Sequence, residues 1–316
     1  MNTYQKSPGS RFLKNILISV CTITFLIASN SSQAEERSIS KKIVRGENYG
    51  ELYDQGKLRT YYFYTPKSYN SDRLMPLVLV FHGDDGSGQS ISNVTRFNEL
   101  AEKKGFIAVY PDGINQRWNV RGNTQGKADD VLFVSALIDR LQQQMNINSH
   151  KVYATGFSRG GILTQALACK LPNKIAGFAS VAGSLPVKLK PNCQPQTPVS
   201  ILTINGTNDR DVLYQGDNRT QRGALVSISD MVNFWRSHDQ CTLSNKSLQF
   251  SEDKVKTSLY AGCSNNSEVW HLAVVNGGHF WPGGASTDES LNKFNAKLGL
   301  NASETIWNFF QRHSLP

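Results

Sequence analysis

The sequence predicts an α/β protein with a mostly parallel central sheet and helices on both faces of that sheet. From residue 59 onward, short apolar runs alternate with stretches of helical apolar periodicity. Most of the runs are apolar at every position, as strands buried on both faces are, and Gly, Pro or Asp bound them. This alternation favours parallel strands joined by crossover helices.

Each element follows from its own pattern. Residues 35–58 are polar and weakly patterned, so we expect a leader into a first strand at Arg59–Tyr64. The later predicted strands are Pro76–Phe81, Phe106–Tyr110, Lys151–Thr155, Gly177–Val181, Val199–Asn205 and Val269–Val275. Amphipathic periodicity predicts helices at Val94–Lys104, Asp129–Met145, Gly160–Lys170, Ser227–His238 and Ala302–Arg312. No repeat and no Pro- or Ser-rich linker intervenes, so we expect residues 59–316 to form one domain.

The N-terminus has the pattern of a secretory signal peptide. Lys6, Arg11 and Lys14 precede an apolar run of 14 residues, and Ser32-Gln33-Ala34 follows it with small residues at the two positions that a signal peptidase inspects. The run is shorter than the roughly 18 residues of a membrane-spanning helix. We therefore expect residues 1–34 to be cleaved, leaving a secreted or periplasmic protein with no stable membrane anchor.

Composition excludes several classes. The chain has 316 residues, of which 39% are hydrophobic and 19% charged, as in folded globular proteins. Loss of the three cationic residues of the leader lowers the formal net charge from +9 to +6, and the remaining Lys and Arg form no stripe that would bind nucleic acid. The composition predicts a soluble, mildly basic protein whose oligomeric state is open.

Cysteine usage also fits export. Of five cysteines, Cys21 lies in the leader, and an even number remains, which favours disulfides in an exported protein: Cys169, Cys193, Cys241 and Cys263. Four cysteines allow three pairings. C-x-x-C metal spacing is absent from the sequence, and we expect no metal or other cofactor.

A candidate nucleophile lies between a strand and a helix. The segment Gly156-Phe157-Ser158-Arg159-Gly160 has the G-x-S-x-G pattern, directly after a predicted buried strand and at the start of a predicted helix. A sharp turn in that context raises a serine hydroxyl above the sheet, and glycines on either side leave room for it. The alternative is a glycine-rich turn without chemistry.

A serine nucleophile needs a base and an orienting acid. We assign the base to His279, in a glycine-flanked loop after the last predicted strand, and the acid to Asp209, in a loop after the strand Val199–Asn205, with Asp211 as the alternative acid. Structural roles are expected for the other histidines, of which His82 is the strongest rival: His82, His150, His238, His271 and His313. The order Ser158, Asp209, His279 is that of the α/β-hydrolase triad.

The fourth expected part is a pair of amides that bind the oxyanion. One is the N–H of Arg159, which follows the nucleophile, and the other is the N–H of Asp84 in the glycine-rich loop His82-Gly83-Asp84-Asp85-Gly86-Ser87-Gly88. The alternative interpretation of this loop is an acidic surface turn.

These motifs together resemble a known family. In order, the chain contains HGDDGSG, YPDG followed by WN, DDVLFVSALIDRL, VYATGFSRGG, ASVAG, INGTND and GGHFWPGG. From about residue 59 to 312 it closely resembles the secreted esterase family that holds polyhydroxybutyrate depolymerase-like proteins and bacterial feruloyl and acetylxylan esterases. The resemblance implies an α/β-hydrolase fold with Ser158 as nucleophile, Asp209 as acid and His279 as base. It also implies the disulfides Cys169–Cys193 and Cys241–Cys263.

The chain departs from this family at Arg159, where a small or amide residue is usual, and in its two loop acids Asp84 and Asp85. Unpaired carboxylates there would oppose an oxyanion, so we expect Arg159 or another cation to neutralise at least one of them. Trp118, after Tyr110-Pro111-Asp112-Gly113, and Trp281, two residues beyond His279, are expected to line the acyl or alcohol side of the substrate, with simple packing as the alternative.

The sequence as a whole predicts a secreted serine esterase. A depolymerase of crystalline polyester would be expected to add a surface-adsorbing domain, so we expect soluble substrates, either short hydroxyalkanoate oligomers or feruloyl and acetyl esters of plant polysaccharide. Two other classes stay open, an acyltransferase or peptidase on the same fold, and a glycan- or polyester-binding protein without catalysis.

Overall fold

The central sheet has ten strands in the order β1-β2-β4-β3-β5-β6-β7-β10-β9-β8. This computed structural model describes residues 44–70, 72–120, 128–218, 223–245 and 253–316, so the predicted signal peptide lies outside the described residues. The strands are β1 (Gly46–Asp54), β2 (Lys57–Thr65), β3 (Met75–Phe81), β4 (Ile107–Pro111), β5 (Ile147–Phe157), β6 (Gly177–Val181), β7 (Ile201–Gly206), β8 (Leu243–Asn245), β9 (Val255–Ala261) and β10 (Val269–Val274).

The helices alternate with the central strands. They are α1 (Gly88–Thr95), α2 (Phe97–Lys104), α3 (Asp130–Gln144), α4 (Arg159–Lys170), α5 (Ile228–His238), α6 (Glu289–Leu298) and α7 (Ala302–Phe310). Among the described helices, none combines the length and apolar character needed to cross a bilayer.

The parallel centre of the sheet is buried on both faces. Strands β4, β3, β5, β6, β7 and β10 pair in parallel. Because successive side chains point to opposite faces, Leu77 and Leu79 join one apolar core while Val78 and Val80 join the other. Helices α3, α4 and α5 cover the first core, and α1, α2 and α7 cover the second. The predicted α/β class, with helices on both faces, is confirmed.

The expected leader is wrong where the structure describes it. Residues 46–54 form β1, which pairs antiparallel with β2 through a turn at Gln55-Gly56, where both residues have positive φ (48° and 73°). Burial alternates along β1 because only one face of this outermost strand is covered. An alternating, partly polar pattern is typical of such an edge strand, and it does not form the continuous apolar run used to find the central strands.

The predicted helix Val94–Lys104 is two helices. Ser87 caps α1 in a reciprocal capping box with Ser90. Arg96, in the left-handed conformation with φ 55°, ends α1 and precedes α2. Strands β8 and β9 and helix α6 are further elements that the sequence patterns missed. β9 and β8 are the last two strands at one end of the sheet, and the only buried residue of α6 is Leu298.

Both expected disulfides are present. Cys169, in the last turn of α4, is bonded to Cys193, and Cys241, after α5, is bonded to Cys263. Each bridge closes a short loop next to a helix that covers the first core, which restricts the unfolded chain and so stabilises the fold.

Candidate active site

The candidate nucleophile lies at a strained turn at the carboxyl end of β5. Ser158 has φ 54° and ψ −117°, a conformation that residues with a side chain rarely adopt. Neighbouring backbone leaves no room for larger residues. A Cβ on Gly156 would lie 2.4 Å from the Gly160 carbonyl carbon, and a Cβ on Gly160 would lie 2.3 Å from the Phe81 oxygen. The two glycines therefore allow the turn, which holds the serine where the strand ends.

Three strand-end loops bring the predicted triad residues together. Nε2 of His279 lies 2.8 Å from Oγ of Ser158, and Nδ1 of His279 lies 2.8 Å from Oδ2 of Asp209. Asp209 is only 4% exposed. Its second carboxylate oxygen, Oδ1, accepts hydrogen bonds from the amides of Asp211 and Val212. With the Nδ1 proton donated to Asp209, Nε2 is free to accept the serine proton.

The loops that carry the acid and the base are tied to each other. The Asn208 amide donates to the Gly277 carbonyl at 2.9 Å, and the Asn276 amide donates to Oγ1 of Thr207 at 2.9 Å. Since β7 and β10 are parallel neighbours, their carboxyl ends lie side by side. These bonds orient Asp209 and His279 independently of the bond between their side chains.

Asp211, the predicted alternative acid, lies beside the triad. It donates its backbone amide to Oδ1 of Asp209. Its carboxylate lies near enough that Asp209, Asp211 and His279 each offer a metal-ligand atom, all within 4.8 Å of one another. A cation held by these three groups would compete with the hydrogen bond between Asp209 and His279.

The loop after β3 carries the expected oxyanion donor. A Cβ on Gly83 would lie 3.2 Å from Cβ of Ser158, so this loop lies against the nucleophile. The amides from Asp85 to Gly88 all have acceptors: the Gln116 and Gly83 carbonyls, Ser90 Oγ and Asp112 Oδ1. The Asp84 amide has no acceptor among the described residues, and the Arg159 amide opens a helix, where no preceding helical carbonyl can accept it. Both amides are available to a ligand.

The acids of this loop are paired with arginines, as expected. Nε–H of Arg159 donates to Oδ1 of Asp84 at 2.9 Å, and the two side chains are 12% and 21% exposed. Asp85 lies 3.4 Å from Arg117 in a largely exposed pair. A mostly buried ion pair is screened far less by water than an exposed one, so the Arg159–Asp84 pair has the greater effect on the site.

The prediction that Trp118 and Trp281 line the substrate site is corrected by the burial of both side chains. Trp118 is 3% exposed, its ring packs on His82, and its indole N–H donates to the His82 carbonyl. Trp281 is also 3% exposed and donates to Oγ of Ser303 behind the loop. With nearly all of their surface inside the core and their N–H groups bonded to protein, both have the contacts of packing residues.

Two further residues lie close to the serine: Phe157, which we did not single out in the sequence, and His82, for which we expected a structural role. The ring of Phe157, the variable position of G-x-S-x-G, lies 4.8 Å from the His279 ring and beside Gly83. His82 is 1% exposed and begins the loop 82–88, which we call the oxyanion loop after its expected role. Its Nδ1 contacts the Gly83 carbonyl of this loop, and its Nε2 accepts from the Gly113 amide in the turn after β4. The available signals were their positions inside the motifs, directly before the serine and directly before the glycine loop.

The other histidines have structural contacts. His271 lies in β10 between Thr203 and Tyr214, and burial lowers its pKa to about 4. The hydrogen bond to Asp239 raises the pKa of His238. His150 and His313 help to line a cavity of about 570 Å³ at the amino ends of β6 and β7. The triad residues lie at the opposite, carboxyl ends of the strands.

Comparison with known proteins agrees with this fold. Residues 59–187 match the family described as esterase PHB depolymerase. A bifunctional acetylxylan esterase/xylanase of Neocallimastix patriciarum is 33% identical over 234 residues, covering 72% of this chain and 31% of that protein. Feruloyl esterase B of Piromyces equi is 28% identical over 266 residues, covering 79% of this chain and 44% of that protein. The chain thus spans less than half the length of these two relatives.

A solved structure shows the same architecture. The acetyl xylan esterase from Aspergillus awamori superposes with a TM-score of 0.58 at 15% identity, covering 78% of this chain and 98% of that one. At this identity the likeness concerns the fold, and the local match of residues 59–187 concerns the family. Residues 59–187 are therefore similar to the esterase PHB depolymerase family, and the chain has an α/β-hydrolase fold.

Proposed function

We propose that this protein is a serine esterase that hydrolyses carboxylic esters with Ser158, His279 and Asp209. The observation that carries the proposal is the continuous hydrogen-bond chain from Asp209 through His279 to the hydroxyl of Ser158, with 2.8 Å at both links. The strained turn at Ser158 and its two flanking glycines add support, because backbone strain of this kind is typical of functional sites. The matching family and relatives are esterases by description.

The geometry supports a two-step mechanism. Oγ of Ser158 attacks the carbonyl carbon of the ester while Nε2 of His279 takes its proton, and the Asp209 carboxylate stabilises the imidazolium that forms. The carbonyl oxygen becomes an oxyanion that accepts hydrogen bonds from the amides of Asp84 and Arg159. His279 then protonates the leaving alcohol, and a water molecule, deprotonated by His279, hydrolyses the acyl-enzyme.

For the substrate we propose short soluble esters, with hydroxyalkanoate oligomers as the first class. The family match supports this class. Acetyl or feruloyl esters of plant polysaccharide are the second, and the names of the relatives support it. The pattern of residues 1–34 and the two disulfides support export, to the periplasm or beyond the cell.

Two measurements test the activity. A fluorophosphonate probe should label the wild-type protein on Ser158. The Ser158→Ala variant should keep its fold, should not be labelled, and should hydrolyse esters several orders of magnitude more slowly. Turnover within about tenfold of wild type in Ser158→Ala would refute the assignment. Absence of labelling in the folded wild-type protein would instead favour a non-catalytic binding role.

A substrate panel separates the two substrate classes. Release of product is compared over p-nitrophenyl esters of rising chain length, hydroxybutyrate oligomers, methyl ferulate and acetylated xylan. Preference for the oligomers in kcat/KM supports the first class, and preference for ferulate or xylan esters supports the second. Transfer of the acyl group to an added alcohol in preference to water would identify an acyltransferase.

A further inference from the structure

His82 lies at the start of the oxyanion loop with both ring nitrogens bonded to backbone. It follows β3 directly and is 1% exposed. Its Nε2 lies 2.9 Å from the amide nitrogen of Gly113, and its Nδ1 lies 2.6 Å from the carbonyl oxygen of Gly83. An amide can only donate and a carbonyl can only accept. The ring must therefore be neutral, with its proton on Nδ1.

Other contacts keep the ring in this state and place. Burial lowers the pKa of His82, which favours the neutral form. The Trp118 ring packs on the imidazole with centroids 4.8 Å apart, and its N–H donates to the His82 carbonyl. The imidazole thus joins the Gly113 turn to the Gly83 carbonyl.

The Gly83 carbonyl and the Asp84 amide belong to the same peptide unit. In a planar trans peptide the C=O and N–H point in opposite directions, so a bond that holds the carbonyl also sets the direction of the amide. The Gly83 oxygen accepts from Nδ1–H of His82 on one side of the loop and from the Gly86 amide at 3.3 Å. The Asp84 N–H, without an acceptor among the described residues, is turned away from His82.

We propose that His82 is a positioning residue for ester hydrolysis, which holds the Gly83–Asp84 peptide so that the Asp84 N–H can bind the oxyanion formed at Ser158. His82 acts through this peptide and does not touch the substrate. The proposal rests on the proposed function, because it assigns the Asp84 amide to the transition state. An oxyanion donor stabilises the transition state more than the bound ester. When the donor is misaligned, kcat should therefore fall while KM changes little.

Two isosteric substitutions separate the two hydrogen bonds. In His82→Asn the side-chain amide nitrogen occupies the place of Nδ1 and can still donate to the Gly83 carbonyl, but the side chain is too short to reach Gly113. In His82→Gln the side-chain oxygen reaches the place of Nε2 and can accept from the Gly113 amide, but the donor to Gly83 is lost. Both variants remove the ring, so each serves as the packing control for the other.

The expected result is a difference in kcat between the two variants. His82→Gln should lower kcat for p-nitrophenyl acetate by roughly 10- to 100-fold with KM within about threefold, whereas His82→Asn should keep kcat within about fivefold of wild type. Affinity for a trifluoromethyl ketone, which forms a tetrahedral adduct with the serine, should fall in His82→Gln by the same factor as kcat/KM. Equal kcat values in folded Asn and Gln variants, or a change confined to KM, would overturn the proposal.

A measurement on the wild-type protein covers the case in which the variants do not fold. ¹⁵N NMR of histidine-labelled protein at neutral pH should show His82 as the neutral Nδ1–H tautomer. A neutral Nε2–H tautomer or a protonated ring would overturn the proposal without any variant. If wild-type protein shows no Ser158-dependent hydrolysis, the proposed function fails; if it is active and the variants are indistinguishable, the role of His82 alone fails.

Discussion

The pair between Arg159 and Asp84 leads to the sharpest prediction about the proposed reaction. Arg159→Ala keeps the backbone amide that we propose as an oxyanion donor and removes only the side chain. The Asp84 carboxylate, 21% exposed, then loses the guanidinium that lies 2.9 Å away. A negative charge without its partner would oppose the negative charge that develops on the ester oxygen.

The size of the effect follows from Coulomb's law. We take a separation of about 7 Å between an oxygen bound to the Asp84 amide and the carboxylate of the same residue, and an effective dielectric constant of about 20. Repulsion between two unit charges is then about 2 kcal/mol. That energy corresponds to a decrease in kcat of roughly 30-fold. The substrate is neutral before attack, so KM should change less.

The assay compares four proteins with p-nitrophenyl acetate: wild type, Arg159→Ala, Asp84→Asn and the double variant. Asp84→Asn keeps the amide and removes the charge, so the double variant should recover most of the rate that Arg159→Ala loses. The matched control is Asp85→Asn, which changes the neighbouring acid of the exposed pair with Arg117. It should leave kcat within about twofold of wild type.

Two outcomes would refute this reasoning. Unchanged kcat in Arg159→Ala would mean that the guanidinium does not compensate Asp84 during catalysis. A decrease that the double variant fails to reverse would mean that Arg159 acts by packing or by a contact to the substrate instead of by charge.

Three further predictions concern the acid, the buried histidine and the disulfides. Asp209→Asn should lower kcat by roughly 10³- to 10⁴-fold and Asp211→Asn by less than about threefold, and the reverse order would move the acid to Asp211. Because burial lowers the pKa of His271 to about 4, the unfolded chain binds a proton that the folded protein excludes as the pH falls below the usual 6.5. Urea unfolding at several pH values should therefore show that, from about pH 7.5 to 5, the free energy of unfolding falls by about 2 kcal/mol less in His271→Gln than in wild type. An equal decrease in the two proteins would contradict this prediction. Non-reducing peptide mapping should recover Cys169–Cys193 and Cys241–Cys263, and alkylation of these thiols in exported protein would contradict the pairing.

The central strands could be predicted because both of their faces are buried. A strand such as β6 or β7 must be apolar at nearly every position, and this leaves a continuous run in the sequence. The edge strand β1 has one solvated face, so its alternating pattern competes with that of a loop. Strand β9, next to the edge strand β8, is only partly buried along most of its length and leaves no continuous apolar run. Helix α6 gives a weak signal for the same reason, since little of its surface is buried.

The site could be predicted where the chemistry restricts the local sequence. Gly156 and Gly160 are required by backbone contacts that admit no Cβ, so the turn at Ser158 is visible as a motif. The directions of Trp118 and Trp281 could not be predicted, because an aromatic residue in a loop can face the ligand or the core with the same neighbours in sequence. Their buried N–H partners, the His82 carbonyl and Ser303, are distant in the chain.

The acids around the oxyanion loop give the site its electrostatic character. Asp112 accepts from the Gly88 amide and the Thr60 hydroxyl, and Asp130 pairs with the buried Arg59 at 2.7 Å. Desolvation raises the pKa of Asp130, so its charge depends on that arginine. Asp84, Asp85 and Asp130 are thus each paired with an arginine, and Asp112 accepts hydrogen bonds from neutral donors. In the proposed reaction, the anionic transition state would form beside acids that already have partners, and Arg159 would compensate the charge of the acid whose own amide is assigned to the oxyanion.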